Sequence, residues 1–479
     1  MPRLVLVQPP PYFYALLPSN LVSLAAWVSG HRPEWEVYYH AVEPWRDDEL
    51  ALYNFAKWVH PWMQGELIHY IHYGSERDSP EGRSFRSWLE AAVDAVMARD
   101  PDVIAMPTAI NSWMYAMPLA AALRHLERPP VVVLGGPHIT LLLEIATKFE
   151  NRALATELCR SADFLVPREG EHCLCEILDQ VSRGSGVSTS WRTTGGELTP
   201  PTAQAPFIRL ESYPVPDYRL FEASLRQDIT PWAPIEISRG CQGDCSFCCV
   251  NEYWGRKLRL KPIENILHEL EVFEEQLGEA AVLHFVDVTV NPHWPNARAL
   301  FEHLAVRGGI PWVSFARIAD MNDGVLDLLS RSGAKQLLYG VESASDEQLK
   351  AVHKAHSVEE SLRVIEKTAA VGIEPVPSVI VGLPGETEES VGKTIAFARR
   401  LHAMGASVIV EEFLPHPLSP LVMNREVNYG AMVKTEPSEG SMPMGPHFWF
   451  SPPKPPWREE MYHRAREFAL CADFFLRNE

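Results

Sequence analysis

The stretch Ile235-Glu236-Ile237-Ser238-Arg239-Gly240-Cys241-Gln242-Gly243-Asp244-Cys245-Ser246-Phe247-Cys248 decides how this 479-residue chain is built. It opens as a short strand, Ile235–Ser238, and passes directly into a loop carrying three cysteines. Three thiolates in one short loop can grip three irons of a cuboid iron–sulfur cluster and leave the fourth iron open to a chelating ligand. Gly240 and Gly243 let the backbone bend closely around such a group. A structural zinc site is the alternative, but zinc sites usually draw four ligands from paired CxxC arms. Cys249 adjoins Cys248 and cannot easily turn to the same metal, and no second CxxC pair is present. Cys249, Cys159, Cys173, Cys175 and Cys471 therefore read mostly as small core residues.

Downstream of the cysteines the pattern alternates between helix and strand. Ile263, Ile266, Leu267, Leu270, Phe273 and Leu277 recur close to the 3.6 period, after a Pro262 suited to a first turn. Further strands are expected at Leu283–Asp287, Trp312–Ala316, Gln336–Val341, Val376–Val381 and Val408–Phe413. Six βα units of this kind predict a partial barrel over 232–414, with its chemistry at the carboxyl ends of the strands.

Upstream, a second alternation begins at the N-terminus. Strands are expected at Leu4–Val7, Val37–Ala41, Asp102–Met106, Val131–Leu134 and Phe164–Val166, with a buried helix at Leu21–Val28 and others at Trp88–Ala98 and Met117–Leu126. This predicts a doubly wound, Rossmann-like parallel sheet over 1–181. Its strands end in turns at Pro9–Pro11, Pro107–Ser112, Gly135-Gly136-Pro137-His138 and Arg168-Glu169-Gly170-Glu171. In such sheets ligands bind at these ends, although any α/β domain carries Gly and Pro in its turns. A GxGxxG dinucleotide fingerprint is absent. The fold class is thus α/β: a Rossmann-like domain, a partial (β/α)6 barrel and a small C-terminal region. Residues 182–231, rich in Ser, Thr, Gly and Pro, read as a linker that includes a small hairpin. Residues 415–479, rich in Pro and aromatics and closing with a helix at Arg458–Phe475, either cover the barrel mouth or close its bottom. Tyr253 and Trp254 share that ambiguity.

Bulk composition narrows the partners. Apolar content of 46% and charged content of 22% are those of a globular protein. With 43 basic against 62 acidic residues the net charge is -19, which opposes binding to nucleic acid. No apolar run reaches bilayer length, and Met1–Val7 reads as a first strand rather than a signal peptide. A cytoplasmic monomer with reduced thiols is expected.

The CxxxCxΦC spacing after a strand, opening six βα units, resembles the radical S-adenosylmethionine (radical SAM) superfamily over roughly 232–413. The resemblance implies that Cys241, Cys245 and Cys248 hold a 4Fe–4S cluster that cleaves S-adenosylmethionine, with Phe247 shielding one side and contacting adenine. It implies that Asp287 meets the methionine amino group and that Gly340-Val341-Glu342-Ser343 meets the ribose. Val379–Thr387 would flank the adenine, and Ser314 and Arg317 would face the cofactor. Asp287, Glu342 and Glu386 also have an ordinary role as acids at helix starts, and for Glu386 that role is the expected one.

The first domain resembles the cobalamin-binding domain of one large subgroup. Gln8-Pro9-Pro10, Gly135-Gly136-Pro137-His138 and Arg168-Glu169-Gly170-Glu171 carry that resemblance. The cobalt-ligating DxHxxG motif is absent, as is usual in this subgroup. Pro9, Thr108, Asn111, Ser112, Gly135–His138 and Glu169–Glu171 would then lie near the corrin or its nucleotide tail. Trp62, His69 and Asn111 would lie beneath cobalt, although His69 reads equally as a solvated helix residue. The implied reaction is methylation of an unactivated carbon in a small molecule or short peptide, through methylcobalamin and a 5′-deoxyadenosyl radical. It would draw electrons from a flavodoxin- or ferredoxin-like donor. Cyclisation or rearrangement is the second possibility. A methylthiotransferase lacks its second cluster motif here, and a non-catalytic sensor leaves the strand-end motifs without a use.

Overall fold

The computed structural model describes residues 1–10, 17–43, 80–109, 112–148, 150–224, 232–278, 282–424, 433–434, 442–445 and 448–450. Trp62, His69, Asn111, Cys471 and the helix expected at Arg458–Phe475 lie outside them. The chain divides into two compact units, one dominated by residues 1–229 and one by residues 230–427.

In the first unit, β1 (Arg3–Gln8), β2 (Glu36–Ala41), β3 (Val103–Pro107), β4 (Val131–Gly135) and β5 (Phe164–Val166) form a parallel sheet in the order 2-1-3-4-5. Leu4 to Val7 are fully buried, as are Val103 and Ile104. Parallel strands are covered on both faces by their crossover helices, which is why they read as unbroken apolar runs. The helices are α1 (Ser19–His31), α2 (Pro80–Met97), α3 (Trp113–Arg124), α4 (Pro137–Lys148), α5 (Arg152–Ser161) and α6 (Glu171–Arg183). The order reverses between β1 and β3, which marks the crevice where such sheets take ligands.

The stretch expected as a linker belongs largely to this unit. Its hairpin, β6 (Trp191–Thr194) and β7 (Glu197–Thr199), extends the same sheet antiparallel to β5. Beyond it, Leu210, Tyr213, Tyr218 and Phe221 are buried. A few large apolar side chains anchor a segment whose bulk composition resembles a loop.

In the second unit, β8 (Trp232–Ile235) begins a six-stranded sheet. A two-residue antiparallel pair, β9 (Ser238–Arg239) with β10 (Arg259–Leu260), follows it. The sheet continues with β11 (Val282–Phe285), β12 (Trp312–Ala316), β13 (Ala334–Glu342), β14 (Glu374–Val381) and β15 (Ile409–Glu412). All six barrel strands are parallel and lie in chain order. The intervening helices are α7 (Val250–Trp254), whose last three residues group with the first unit, α8 (Ile263–Leu277), α9 (Pro295–Val306), α10 (Asp323–Arg331), α11 (Asp346–Ala351), α12 (Val358–Ala370), α13 (Glu388–Ala403) and α14 (Pro420–Met423). Phe285, Phe301 and Trp312 interlock between sheet and helices, with the Phe301 and Trp312 rings stacked 4.9 Å apart. The described part of the C-terminal region forms a small antiparallel sheet, at Val433–Lys434, Met442–Gly445 and Phe448–Phe450, that clusters with the first unit. Among the described residues no helix is long and apolar enough to cross a membrane.

Trp312 is fully buried, and its indole N–H donates to the Ser332 carbonyl at 3.2 Å. Replacing it with Ala should cost about 3–5 kcal/mol, measured as the shift in a urea unfolding curve. A loss below about 1 kcal/mol, the range of a surface substitution, would show that this packing is not central to the barrel.

Candidate active site

The first barrel strand ends at Ile235, three residues earlier than its sequence suggests, and the cysteine loop is an excursion bracketed by the β9–β10 pair. Most of that loop has no strand or helix of its own, so partners outside it must satisfy its backbone groups. Cys241 N–H donates to Gly255 O at 3.2 Å and Ser246 N–H to Val352 O at 3.2 Å, while Leu421 N–H donates to Ser246 O at 3.0 Å. The Asn251 amide donates to Gly243 O at 2.9 Å, and a ring nitrogen of His353 lies 3.2 Å from Asp244 O.

The geometry requires a glycine at 240 and leaves little room beside 243. Gly240 has φ +96°, and a Cβ there would lie 2.5 Å from Lys257 O. A Cβ on Gly243 would lie 3.3 Å from Cys241 Sγ and 4.0 Å from Cys245 Sγ. Two of the three thiols thus lie close to the Gly243 backbone. Gly243 N–H also donates towards Cys241 Sγ at 3.4 Å. Desolvation pushes the Cys245 thiol up and the Cys248 thiol up to about 11. Ligation would therefore release protons and depend on the positive charge of iron. Among the described residues no three His, Cys, Asp or Glu side chains gather tightly enough for one metal ion. A cuboid cluster asks for a different arrangement, with one thiolate at each of three irons. Phe247 packs against the apolar group Val352, Leu383, Phe413 and Leu421, walling one side of the loop.

Asp287 is buried just past the carboxyl end of β11. Its carboxylate accepts from Ile237 N–H at 3.1 Å and from the Ser238 hydroxyl at 2.5 Å, and it is neither a helix cap nor exposed. It is a pin holding the chain between β8 and the cysteine loop. Asn296 adds to this by donating to Ile237 O at 2.9 Å and Lys261 O at 3.0 Å. Burial, reinforced by the charge of Glu236, pushes the Asp287 carboxyl up to about 7, against the hydrogen bonds it accepts from Ser238 and Ile237.

The other barrel candidates separate by strand parity. Trp312, Ser314 and Ala316 are all buried, whereas Phe315 is half exposed on the opposite face. Ser314 is 2% exposed, and its hydroxyl donates to Phe315 O at 2.9 Å. Arg317 is half-buried, and its charge reaches Cys245, Asp320 and His356. Ser343 is buried, with its hydroxyl 3.3 Å from Thr394 Oγ1 on α13. Glu342 pairs with Lys354 at 2.7 Å. Glu386 accepts from Gly382 N–H at 2.5 Å and Leu383 N–H at 2.9 Å, closing the turn after β14, while Thr387 caps α13.

In the first unit the structure gathers Pro9, Thr108, Ser112 and Gly135–His138 at the ends of β1, β3 and β4. Thr108 N–H and hydroxyl both donate to Gly135 O, at 2.7 and 2.9 Å, clipping two strand ends together. Gly136 has φ +103° and lies so close to Thr108 O that a Cβ would meet it at 3.0 Å. The Ser112 hydroxyl accepts from Ala109 N–H. His138 is 2% exposed and stacks on Trp113. Glu169 and Glu171 are committed elsewhere: Glu169 accepts from Ile208 N–H at 2.7 Å, and Glu171 accepts from the Tyr213 hydroxyl at 3.0 Å. Both acids anchor the 208–213 segment. Gly170 caps α6 against Leu24.

Residues 235–398 match the radical SAM superfamily. The second unit is a radical SAM domain. An uncharacterized methyltransferase of Pyrococcus horikoshii is 27% identical over 63% of this chain and 65% of its own. The anaerobic magnesium-protoporphyrin IX monomethyl ester cyclase of Rubrivivax gelatinosus is 25% identical over 62% of this chain and 54% of its own. The chain therefore spans less than two thirds of the length of either relative. A solved structure of the radical SAM methyltransferase TsrM from Kitasatospora setae, with cobalamin and a [4Fe–4S] cluster bound, is similar in fold across 99% of this chain and 90% of its own. Its TM-score is 0.63 at 16% identity. The radical SAM motif places the cysteines, but not Asp287 as a pin or Lys354 as a buried cation. Neither residue carries a sequence signal of those roles.

Gly240→Ala should prevent the loop from closing and sharply lower iron and sulfide retained after anaerobic reconstitution; wild-type retention would show the glycine to be dispensable. Asp287 yields a pH signature. Its carboxyl titrates near 3.8 unfolded and about 7 folded, so its contribution to stability is present at low pH and is lost as pH rises through 7. Relative to Asp287→Asn, the wild type should therefore lose thermal stability between pH 5 and pH 8, and a constant difference would contradict the burial argument.

Proposed function

We propose that this enzyme is a cobalamin-dependent radical SAM methyltransferase acting on an unactivated carbon of a small molecule or short peptide. What carries the proposal is the joining, in one chain, of the three-thiol loop around Gly243 and a 2-1-3-4-5 sheet whose ligand crevice lacks a dinucleotide fingerprint. The whole-chain likeness in fold to TsrM, a protein solved with cobalamin and a cluster, supports it.

Cys241, Cys245 and Cys248 would hold the cluster, which would supply an electron to cleave S-adenosylmethionine, and the ends of β1, β3 and β4 would hold cobalamin, which would supply a transferable methyl group. The chain's own residues hold and shield. Gly240 and Gly243 let the loop close, Asp287 and Asn296 fix its approach, and Phe247 with its apolar neighbours keeps water from one side. Thr108 and Gly136 hold the ends of β3 and β4 close together. An outside electron donor of the flavodoxin or ferredoxin kind completes the scheme.

The Rubrivivax relative favours a second reading, oxidative cyclisation. The two differ in their products. Methylation yields S-adenosylhomocysteine alongside 5′-deoxyadenosine, whereas cyclisation yields deoxyadenosine alone.

Anaerobic reconstitution with iron, sulfide, hydroxocobalamin and labelled S-adenosylmethionine tests the proposal. The wild type should retain cobalamin through gel filtration and transfer the label to it. Failure to retain cobalamin would sink the methyltransferase reading. Cys245→Ala should abolish deoxyadenosine formation while leaving the fold intact by circular dichroism.

A further inference from the structure

Strand β13 ends in a kink. Its register with β14 shifts between Gly340 and Glu342, and Glu342 has φ +67°, a conformation that residues with a Cβ rarely adopt. The kink folds the Glu342 carboxylate back over Gly340. A Cβ on Gly340 would collide with that carboxylate and come within 3.0 Å of Lys354 Nζ. Lys354 Nζ pairs with Glu342 Oε1 at 2.7 Å, donates to Gly340 O at 3.2 Å and lies 5.8 Å from the Phe247 ring centroid. Both side chains are nearly enclosed, at 15% and 9% exposure.

The turn bearing Lys354 is bonded to the cysteine loop on its preceding residues. Val352 O accepts from Ser246 N–H, and His353 bonds to Asp244 O. A buried ammonium thus stands beside the loop that carries the thiols, and its charge acts on both Cys245 and Cys248. Arg317 is a second cation whose charge reaches Cys245.

We propose that the Glu342–Lys354 pair sets the reduction potential of a cluster bound by Cys241, Cys245 and Cys248. This rests on the reading of those cysteines as cluster ligands. Reduction adds one electron to the cluster, supplied by the external donor, and no bond forms or breaks. The added negative charge is stabilised by a nearby cation in a low-dielectric setting and opposed by a nearby anion. Lys354 therefore raises the potential, while Glu342 limits the rise and holds the ammonium in place. A strained Glu342 fits this role, because strain persists where the surroundings over-determine a functional placement.

Redox titration of the reconstituted cluster, followed by electron paramagnetic resonance without S-adenosylmethionine, tests the proposal. Lys354→Met should make the midpoint more negative and Glu342→Gln more positive. Each should change the one-electron equilibrium at least tenfold, about 59 mV. Lys354→Arg should remain near the wild type. A purely structural pair would shift both midpoints in the same direction or leave them unmoved, and either result overturns the proposal. If Lys354→Met takes up no cluster, the sign of the Glu342→Gln shift decides. A wild type that takes up no cluster refutes the cluster reading itself and is thereby told apart from a failure of the tuning.

Discussion

A loop carrying three thiols has almost no regular structure to stand on, and its backbone polar groups must find partners elsewhere. Here they come from Gly255 beyond α7, Val352 beyond α11 and Leu421 on α14, elements that span much of the barrel sequence. The cysteine loop can adopt its shape only once the barrel has formed. Folding and the site are coupled by hydrogen bonds rather than by neighbourhood. Asp287 and Asn296 extend the coupling upstream by fixing Ile237 and Ser238 before the chain reaches Gly240.

Parallel sheets make this dependence general. Strands that all run one way deliver their loops to one end, and that end collects the chemistry. The first unit follows the same rule with different means. Its strand ends are clipped by Thr108 on Gly135, and its acids at Glu169 and Glu171 hold the 208–213 segment. Two carboxylates in a turn typical of a ligand site thereby each hold a segment of their own chain.

Much of the fold is legible in the sequence. The strands Trp312–Ala316 and Phe164–Val166 are found where the apolar runs place them. The first barrel strand is displaced, because Ile237 and Ser238 have strand-like character but are held by Asp287, not by the barrel sheet. The 182–231 segment is misread for the opposite reason: a few buried aromatics secure a stretch whose Ser, Thr, Gly and Pro content suggests a tether. At the site, the cysteines and glycines are legible because their chemistry fixes both type and spacing. The acids are not. Residue type says that Asp287, Glu342 and Glu386 can accept hydrogen bonds, but the direction of each side chain depends on partners 50, 12 and 4 residues away. Ser343 shows the same dependence, since its hydroxyl lies 3.3 Å from Thr394 Oγ1 in the helical layer.

Buried ion pairs around the loop show where the structure has invested in placement. Glu236–Arg239 and Lys261–Glu269, at 2.7 and 2.6 Å, join Glu342–Lys354 as nearly enclosed pairs. Such pairs are weak sources of stability, because desolvation offsets most of the Coulomb gain, yet leaving either partner alone is costly. What they supply is fixed direction. Glu236–Arg239 spans the two residues that Asp287 pins, and Lys261 follows β10, which closes the excursion. A cluster loop that must keep its thiols in register needs its surroundings to have one favourable arrangement. Buried charge with a single good partner provides that more sharply than apolar packing, which tolerates sliding.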